Sequence, residues 1–501
     1  MIESALSEIQ YDIEEEKRKV IPTLRKMASA CTGCGTCLNN CVFHKYSRKT
    51  SRRIMKNIKE FALSKKLDKK LYKITKKYIW SCGLCEHCNN SCPLPEKIPK
   101  TAFIIFLRGV LNAKNEAPFL VKFIKRTIFR DIRNPILKLL FPIVAKILVP
   151  GWYTSKEPML VKERKVITKA RKYPKKGAEI CFSGGCGHTW SAPNVVFGVT
   201  TILEQAGVDF ITIGNTEFCC GVVYAGLGLI DLWVDQTYKV VQNYLNLKPR
   251  PKTILLHCPG CFVSYSFNLS KWGLTLPFNL LQKLDEPIEV KHITEYILQL
   301  IKEDKIKLTH KIPLTVTYND NCSVGRRMEL VGKPLYDTPR EILERIPGIK
   351  LVESDYIKDN AFCCGLLATK TLGFGTNLRG LIGKDSAYKN QKKLFENIIK
   401  KGSTNLVVPC MGCVLGFEDS ARVWASKLGK KINIWDINEL VNLSMGIDIP
   451  KRHMFINDAF KLSLPIFKKD AIKIISTMIK TQAFRNIFRF LKETISYIRK
   501  K

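Results

Sequence analysis

The run CTGCGTCLNNC places Cys31, Cys34, Cys37 and Cys41 at the spacing C-x2-C-x2-C-x3-C, and CGLCEHCNNSCP repeats it with Cys82, Cys85, Cys88 and Cys92. That spacing is the thiolate set of a cubane 4Fe-4S cluster. Soft thiolates suit iron–sulfur chemistry, and three closely spaced cysteines can wrap one face of a cube. A zinc site needs only four ligands, commonly as two C-x2-C pairs well apart. Two complete runs set that reading aside. Where two such runs occur together, the fourth cysteine of each ligates the other cluster. One expected ligand group is therefore Cys31, Cys34, Cys37 and Cys92, and the other is Cys82, Cys85, Cys88 and Cys41. The first run closes on Cys-Val where the second has Cys-Pro, a difference that touches turn shape and no ligand.

Two further cysteine groups are built on adjacent pairs, EFCCG at 217–221 and AFCCG at 361–365. Cys219 and Cys220 are preceded by Cys186 in GGCGH and followed by Cys258 and Cys261 in HCPGC. Cys363 and Cys364 are preceded by Cys322 in NDNCSVGRR and followed by Cys410 and Cys413 in PCMGC. Each set reads C…CC…C-x2-C, with intervals of 32 and 37 residues in the first and 40 and 45 in the second. Recurrence in this order marks an internal repeat of about 140 residues. Five thiolates are one more than a cubane needs. Adjacent cysteines point in different directions, so they can hold different irons or bridge two. Of the 19 cysteines, Cys181 in EICFSGGC has no counterpart. It reads as a buried strand residue, since a free cysteine behaves as a small hydrophobe.

The elements that must position these thiols are legible in the flanks. Residues 54–80, IMKNIKEFALSKKLDKKLYKITKKYIW, have helical apolar spacing, which suits an α-helical ferredoxin domain. TILLHCPGC and NLVVPCMGC each put an apolar strand before a cysteine pair. VKHITEYI and IWDINELV each read as a strand end followed by a helix. Strands alternating with helices make each repeat an α/β unit with a parallel sheet, with its site on loops at strand ends. The expected fold class is α + α/β. The expected organisation is a ferredoxin domain with two cubane clusters at 1–102 and a basic amphipathic connector at 103–176. The repeats are expected at 177–305 and 306–445, and a basic amphipathic tail at 446–501.

A chain of 501 residues, 46% hydrophobic, has ample material for a core and is too long for one ordinary domain. The N-terminus, MIESALSEIQYDIEEEKRKV, is charged and amphipathic and does not read as an apolar leader. Clustered cysteines in a reducing compartment read as metal ligands. Net charge is +38, from 82 Lys plus Arg against 44 Asp plus Glu. Nucleic acid, an anionic membrane face or an acidic protein could each answer that charge. No nucleic-acid-binding module is recognisable. The longest apolar stretch, 134–152, is interrupted by Lys138, Pro142 and Lys146 and is a poor membrane span. Residues 471–501 place Ile472, Ile475, Ile479, Ile487, Leu491, Ile495 and Ile498 near one helical face, with Lys473, Lys480, Arg485, Arg489 and Lys492 on the remainder. That pattern predicts peripheral association, on the cytoplasmic face of a membrane or with a membrane partner subunit.

The doubled CCG pattern behind two ferredoxin runs resembles the D subunit of heterodisulfide reductase. It also resembles the fused B and C subunits and the DsrK-type proteins associated with sulfite reduction. PLYDTPREILERIPGIKLVE at 334–353, ahead of FCCG, matches that family's run-in. The resemblance covers about residues 25 to 445. It implies that each five-cysteine set holds a noncubane 4Fe-4S cluster. Between the two, a disulfide is split by electrons arriving from the cubanes. On that likeness one site is Cys186, Cys219, Cys220, Cys258 and Cys261, and the other is Cys322, Cys363, Cys364, Cys410 and Cys413. The chain departs from the family where YHDPCHLGR becomes YNDNCSVGR at 318–326. Asn319, Asn321 and Ser323 there replace two histidines and a proline. The Gly-rich tract after the second CCG is LLATKTLGFG here. These changes touch proton donors and pocket shape, not ligands.

His188 and His257 lie beside ligands and are candidate proton donors to a leaving thiolate. His87, inside the second ferredoxin run, is expected to face solvent. GLGLI at 226–230 lacks the third glycine of a dinucleotide site, so electrons are expected from a redox partner subunit, a flavoprotein or a membrane cytochrome b-type or quinone-reactive subunit. Two functions compete. One is a catalytic subunit that reduces or forms a disulfide or related sulfur substrate. The other is an electron-transfer subunit of a flavoprotein dehydrogenase, of the glycolate oxidase or glycerol-3-phosphate dehydrogenase type, delivering electrons to quinone.

Overall fold

The computed structural model describes residues 11–122, 174–365 and 380–448, apart from short gaps at 44–45, 66, 68, 95, 119–120, 175, 186–187, 189–192 and 215. Cys186, the tract 366–375, the basic stretch 123–173 and the amphipathic tail 471–501 lie outside the described residues.

The N-terminal part is helical. Helix α1 (Ile13–Ala30) starts at Asp12, whose carboxylate accepts from the backbone N–H of Glu14 and Glu15 at 2.8 and 3.0 Å. Glu14, Glu15 and Glu16 then meet the positive end of the helix dipole. Helix α2 (Arg48–Ala62) is capped by Ser47. Helix α3 (Lys69–Ser81) leads into the second cysteine run and α4 (Lys100–Ala113) follows it. The periodic stretch 54–80 is thus parts of two helices. The break is made by Ser64, whose left-handed φ of 61° lets its N–H reach the Phe61 carbonyl while that of Lys65 reaches Glu60. The expected boundary at 102 falls inside α4, whose Phe103, Phe106, Leu107 and Leu111 are buried in the same core as Leu24, Met27, Ile58 and Ile79. Each such side chain, fully buried, stabilises by about 1.5–3 kcal/mol, so cutting α4 there would open that core.

Each repeat is a four-stranded, all-parallel sheet. The first contains β1 (Ile180–Ser183), α5 (Pro193–Gln205), β2 (Phe210–Ile213), α6 (Val222–Gly226), α7 (Ile230–Leu245), β3 (Thr253–Leu256), α8 (Pro259–Ser266), β4 (Glu289–His292) and α9 (Ile293–Lys302). The second contains β5 (Thr315–Tyr318), α10 (Arg326–Glu329), α11 (Thr338–Glu344), β6 (Lys350–Leu351), α12 (Gly380–Lys400), β7 (Asn405–Val408), α13 (Met411–Leu428), β8 (Asn433–Asp436) and α14 (Ile437–Ser444). The strand orders are β2-β1-β3-β4 and β6-β5-β7-β8, the same topology twice. Both last helices open on a capping box: His292 with Glu295, and Asp436 with Glu439.

The order reverses between β1 and β3, and between β5 and β7. Loops leaving those strand ends diverge there and leave a crevice. In each repeat the C-x2-C pair begins two residues after the third strand, at Cys258 and Cys410. The two sheets also share a core. Phe182 and Leu255 of one lie in the same apolar cluster as Val316, Tyr318 and Val407 of the other, with Val199, Ile297 and Leu440 from the helices between. Among the described residues no helix is long and apolar enough to cross a membrane.

Candidate metal centres

The first cysteine run leaves the end of α1 and turns back on itself. Gly33 and Gly35 take φ of 73° and 79°, which a side chain resists. Gly35 also lies so close to α2 that a Cβ would stand 2.4 Å from the Arg52 nitrogen. The turn gathers Cys31, Cys34 and Cys37 around a recess that Cys92, from the second run, completes. Cys92 of the second run thus lines the recess of the first run. Met55 and Lys100 close the walls; with its open mouth the recess measures ≈ 260 Å³. Gly33 N–H points at Cys31 Sγ at 3.4 Å, and Lys100 Nζ lies 3.8 Å from Cys92 Sγ. Burial pushes the Cys37 thiol up to about 11. No trio of His, Cys, Asp or Glu among the described residues closes tightly enough for a single metal ion. Four thiols lining one open-mouthed recess, with a buried cation beside them, fit a multi-iron anionic group instead.

The second run repeats the turn with no glycine at its left-handed positions. Leu84 and Glu86, at the positions of Gly33 and Gly35, take φ of 53° and 59°. Non-glycine residues held there cost about 1–3 kcal/mol each, and persist only where the surroundings over-determine them. Here they are over-determined. The Glu86 carboxylate accepts from Thr101 N–H at 2.7 Å and Asn89 Nδ2 at 3.1 Å, and Thr101 Oγ1 also donates to it. The Leu84 carbonyl accepts from Arg327 and the Cys85 carbonyl from Arg326, at 3.0 Å for the latter. Leu84 N–H points at Cys82 Sγ at 3.4 Å, matching Gly33 and Cys31. Burial raises the pKa of the Tyr78 hydroxyl, and the nearby thiols Cys41, Cys82, Cys37 and Cys88 raise it further. Cys41 and Cys85 meet around Phe43. His87 is not on the solvent side. Burial, then the charge of Arg326, pulls its pKa down to about 4.

In the first repeat four of the five expected ligands are described. Cys220 and Cys261 lie 3.2 Å apart, sulfur to sulfur, and Cys258 hydrogen-bonds Cys261. Gly185, at φ 76°, passes directly over them: a Cβ there would be 2.8 Å from Cys258 Cβ and 3.5 Å from Cys261 Sγ. That missing side chain is the space a ligand group would use. Cys181 sits inside β1, fully buried, its thiol pushed up by burial alone.

In the second repeat all five are described and linked. Cys322 hydrogen-bonds Cys363, Cys363 contacts Cys364, and Cys413 contacts both Cys364 and Cys410. Hydrogen bonding with Cys363, helped by Arg327 and Arg326, holds the Cys322 thiol down at about 6. Asn321, which stands where the family has proline, donates from Nδ2 to Cys413 Sγ at 3.1 Å. Its Oδ1 accepts from Ser323 N–H at 2.7 Å and Val324 N–H at 3.1 Å. Sequence reasoning saw a lost motif at this position and missed the sulfur contact. Asp320 is tied up with Arg340, through two hydrogen bonds of 2.8 Å, and carries a structural role.

The two sets meet across a polar seam. His188 Nε2 accepts from the N–H of Met411, the residue after Cys410, at 3.1 Å. His188 also stands edge-on to His257, with ring centroids 4.5 Å apart, and hydrogen-bonds Cys258. His257 Nε2 pairs with Asn438 Nδ2 at 2.9 Å and lies 3.6 Å from Asp436. Burial, then His188, holds the His257 imidazole below its usual range. Both histidines are buried side chains, so solvent reaches neither freely.

Comparison with known proteins places this geometry. The family model of the 4Fe-4S dicluster domain matches residues 27–95, and that of the cysteine-rich domain matches residues 316–418. The D subunit of dihydromethanophenazine:CoB–CoM heterodisulfide reductase from Methanosarcina mazei is 35% identical over 38% of this chain and 43% of its own length. The D subunit from Methanosarcina barkeri is 31% identical over 54% of this chain and 60% of its own length. The EtfAB:quinone oxidoreductase of Syntrophomonas wolfei is 26% identical over 57% of this chain and 36% of its own length. The matched regions thus span roughly half the length of the D subunits.

Proposed function

We propose that this chain, a cysteine-rich-domain protein like the D component of heterodisulfide reductase, is an iron–sulfur oxidoreductase subunit that carries electrons to a sulfur substrate. Its relatives of that type and its two matched domains are the premise. Cys31, Cys34, Cys37 and Cys92 would hold one cubane, and Cys82, Cys85, Cys88 and Cys41 the other. Cys186, Cys219, Cys220, Cys258 and Cys261 would hold one further four-iron cluster, and Cys322, Cys363, Cys364, Cys410 and Cys413 its counterpart. Bound at these thiols, iron–sulfur clusters supply one-electron carriers. The substrate would be a disulfide or a related sulfur compound, cleaved as R–S–S–R′ + 2 e⁻ + 2 H⁺ → RSH + R′SH, or formed in reverse. Two sites of one design suit a two-electron bond, one for each sulfur.

The observation that carries this reading is the sulfur contact between modules. Cys85 of the second ferredoxin run hydrogen-bonds Cys363 of the second five-cysteine set. The chain's own groups support the chemistry further. Lys100 and Asn321 each direct a donor at a ligand sulfur. His188 and His257 stand beside the first set as the candidate proton donors, while at the second set Asn319, Asn321 and Ser323 offer no group that titrates.

That last difference, together with the quinone oxidoreductase relative, favours a second reading. In it the chain is the electron-transfer subunit of a flavoprotein dehydrogenase and passes electrons to quinone. One experiment separates the two. Anaerobically purified protein should contain about 16 irons, four for each cysteine group. With reduced viologen and no partner it should turn over a disulfide. Full iron without turnover on a panel of disulfides and persulfides would decide for the electron-transfer reading. A yield near eight irons would mean that the five-cysteine sets hold something else.

Association with the cytoplasmic face of a membrane, directly or through a partner subunit, belongs to the same proposal. It rests on the basic, amphipathic sequence of residues 471–501. Basic residues near an anionic surface contribute about 1 kcal/mol each. Deleting those residues should move the protein into the soluble fraction of a cell lysate. Unchanged partitioning would remove the tail from the account.

A further inference from the structure

Arg326 and Arg327 open α10 side by side, only 1% and 6% exposed. A buried charge is costly unless an opposite charge meets it. Neither arginine forms an ion pair with a carboxylate among the described residues. Arg326 donates from Nε to the Cys85 carbonyl at 3.0 Å and from Nη1 to the Ala361 carbonyl at 2.8 Å. Arg327 donates from Nη2 to the Leu84 carbonyl and from Nη1 to Ser323 Oγ at 3.4 Å. Arg326 Nη2 and Arg327 Nε are buried with no hydrogen-bond partner among the described residues. The anions at hand are sulfurs. Cys85, Cys322 and Cys363 pack together around Phe43, and their charges act on Arg326.

Neutral donors would be enough to clamp a loop. Two full charges, buried and partly unsatisfied, call for an anion beside them. We propose that Arg326 and Arg327 are the positioning and charge-balancing residues of an electron-transfer junction, joining the second ferredoxin run to the second five-cysteine set. They hold the strained Leu84–Cys85 turn against Cys363 and offset the negative charge of thiolate-bound iron–sulfur groups on both sides. Groups held by Cys41, Cys82, Cys85 and Cys88 and by the second set would act as one-electron carriers, one losing the electron that the other gains, with no bond or proton changing place. The electron originates in a low-potential one-electron donor, dithionite in the test below. The inference rests on the reading that both cysteine groups hold clusters.

The test uses the full chain, purified anaerobically, with Arg326→Gln and Arg327→Gln beside Arg326→Lys and Arg327→Lys. Iron content, EPR-monitored redox titration and power saturation of the second set's signal are the readouts. A positive charge close to a cluster favours its reduced form. The Gln variants should therefore keep their iron and show a downward shift in the second set's midpoint potential. The Lys variants should shift less. In the wild type, reducing the ferredoxin-run clusters should speed relaxation of the second set's signal, and the Gln variants should lose that enhancement. Wild-type potentials and relaxation in iron-replete Gln variants would overturn the junction. Should the Gln variants lose iron, the wild type decides. Absence of relaxation enhancement there overturns the junction, and its presence with near-wild-type Lys variants supports it. A wild-type yield near eight irons would instead overturn the cluster assignment on which the junction stands.

Discussion

Cys364→Ala is expected to reduce viologen-driven disulfide turnover to background while the ferredoxin-run EPR signals persist. Cys364 is buried and bridges the two halves of its set, touching Cys363 on one side and Cys413 on the other. Its backbone is fixed independently of its sulfur. Gln391 donates to its carbonyl, and Gly416 packs against the same oxygen. Alanine therefore removes the thiol and leaves the loop in place. Cys31, Cys34, Cys37 and Cys92 line a separate recess and should not respond. Cys220→Ala is the matching change in the first repeat. There Cys220 Sγ faces Cys261 Sγ at 3.2 Å, and its carbonyl accepts from Ser264 Oγ at 3.1 Å. Each variant should lose up to about four irons. Undiminished turnover by either one would refute the assignment of chemistry to that set. Loss in one variant only would mean that a single set suffices.

The second large effect is on stability. Arg108 is completely buried on α4. Its guanidinium donates to three carbonyls, Ile79 at 3.1 Å, Cys82 at 2.7 Å and Gly226 at 2.6 Å, and it lies 5.5 Å from the ring centroid of Trp80. One side chain thus joins α3, the second cysteine run and the end of α6. Burial pulls its pKa down to about 10, so it is still charged at neutral pH. Arg108→Met keeps much of the volume but strands three acceptors at the seam between the ferredoxin domain and the first repeat. Leaving buried polar groups unpaired on this scale costs about 3–5 kcal/mol. Chemical denaturation of the loaded protein should show a lower midpoint for the transition of the N-terminal part. An unchanged midpoint would mean that water or repacking satisfies those carbonyls.

Much of this architecture can be read from residues 31–41, 82–92 and the two C…CC…C-x2-C sets. Strands before Cys258 and Cys410 follow from the apolar runs TILL and NLVV, and the later strand-to-helix junctions from VKHITEYI and IWDINELV. Local signals end where tertiary contacts take over. The left-handed positions Leu84 and Glu86 carry no glycine to mark them, because Arg327 and Thr101 hold the turn from outside. The break at Ser64 interrupts a pattern that continues in apolar periodicity. His87 looks like a surface residue in a polar run, yet it is largely buried and feels the charge of Arg326, far along the chain. Lys100 has ordinary sequence surroundings and Asn321 shows in sequence only as a changed motif residue; their sulfur contacts appear only beside Cys92 and Cys413.

The contacts from Arg326 to Cys85 and from Arg327 to Leu84 span 241 and 243 residues of chain. On a ribosome adding about 5–20 residues per second, that separation is about 12–50 s of synthesis. For that time the Leu84–Cys85 turn exists without the residues that hold it, and Cys82, Cys85 and Cys88 face a cell, not a second domain. For the same interval the Cys85 carbonyl lacks the Arg326 donor that later reaches it. Completion of this chain is in that sense directional: an early loop is finished by a helix made much later.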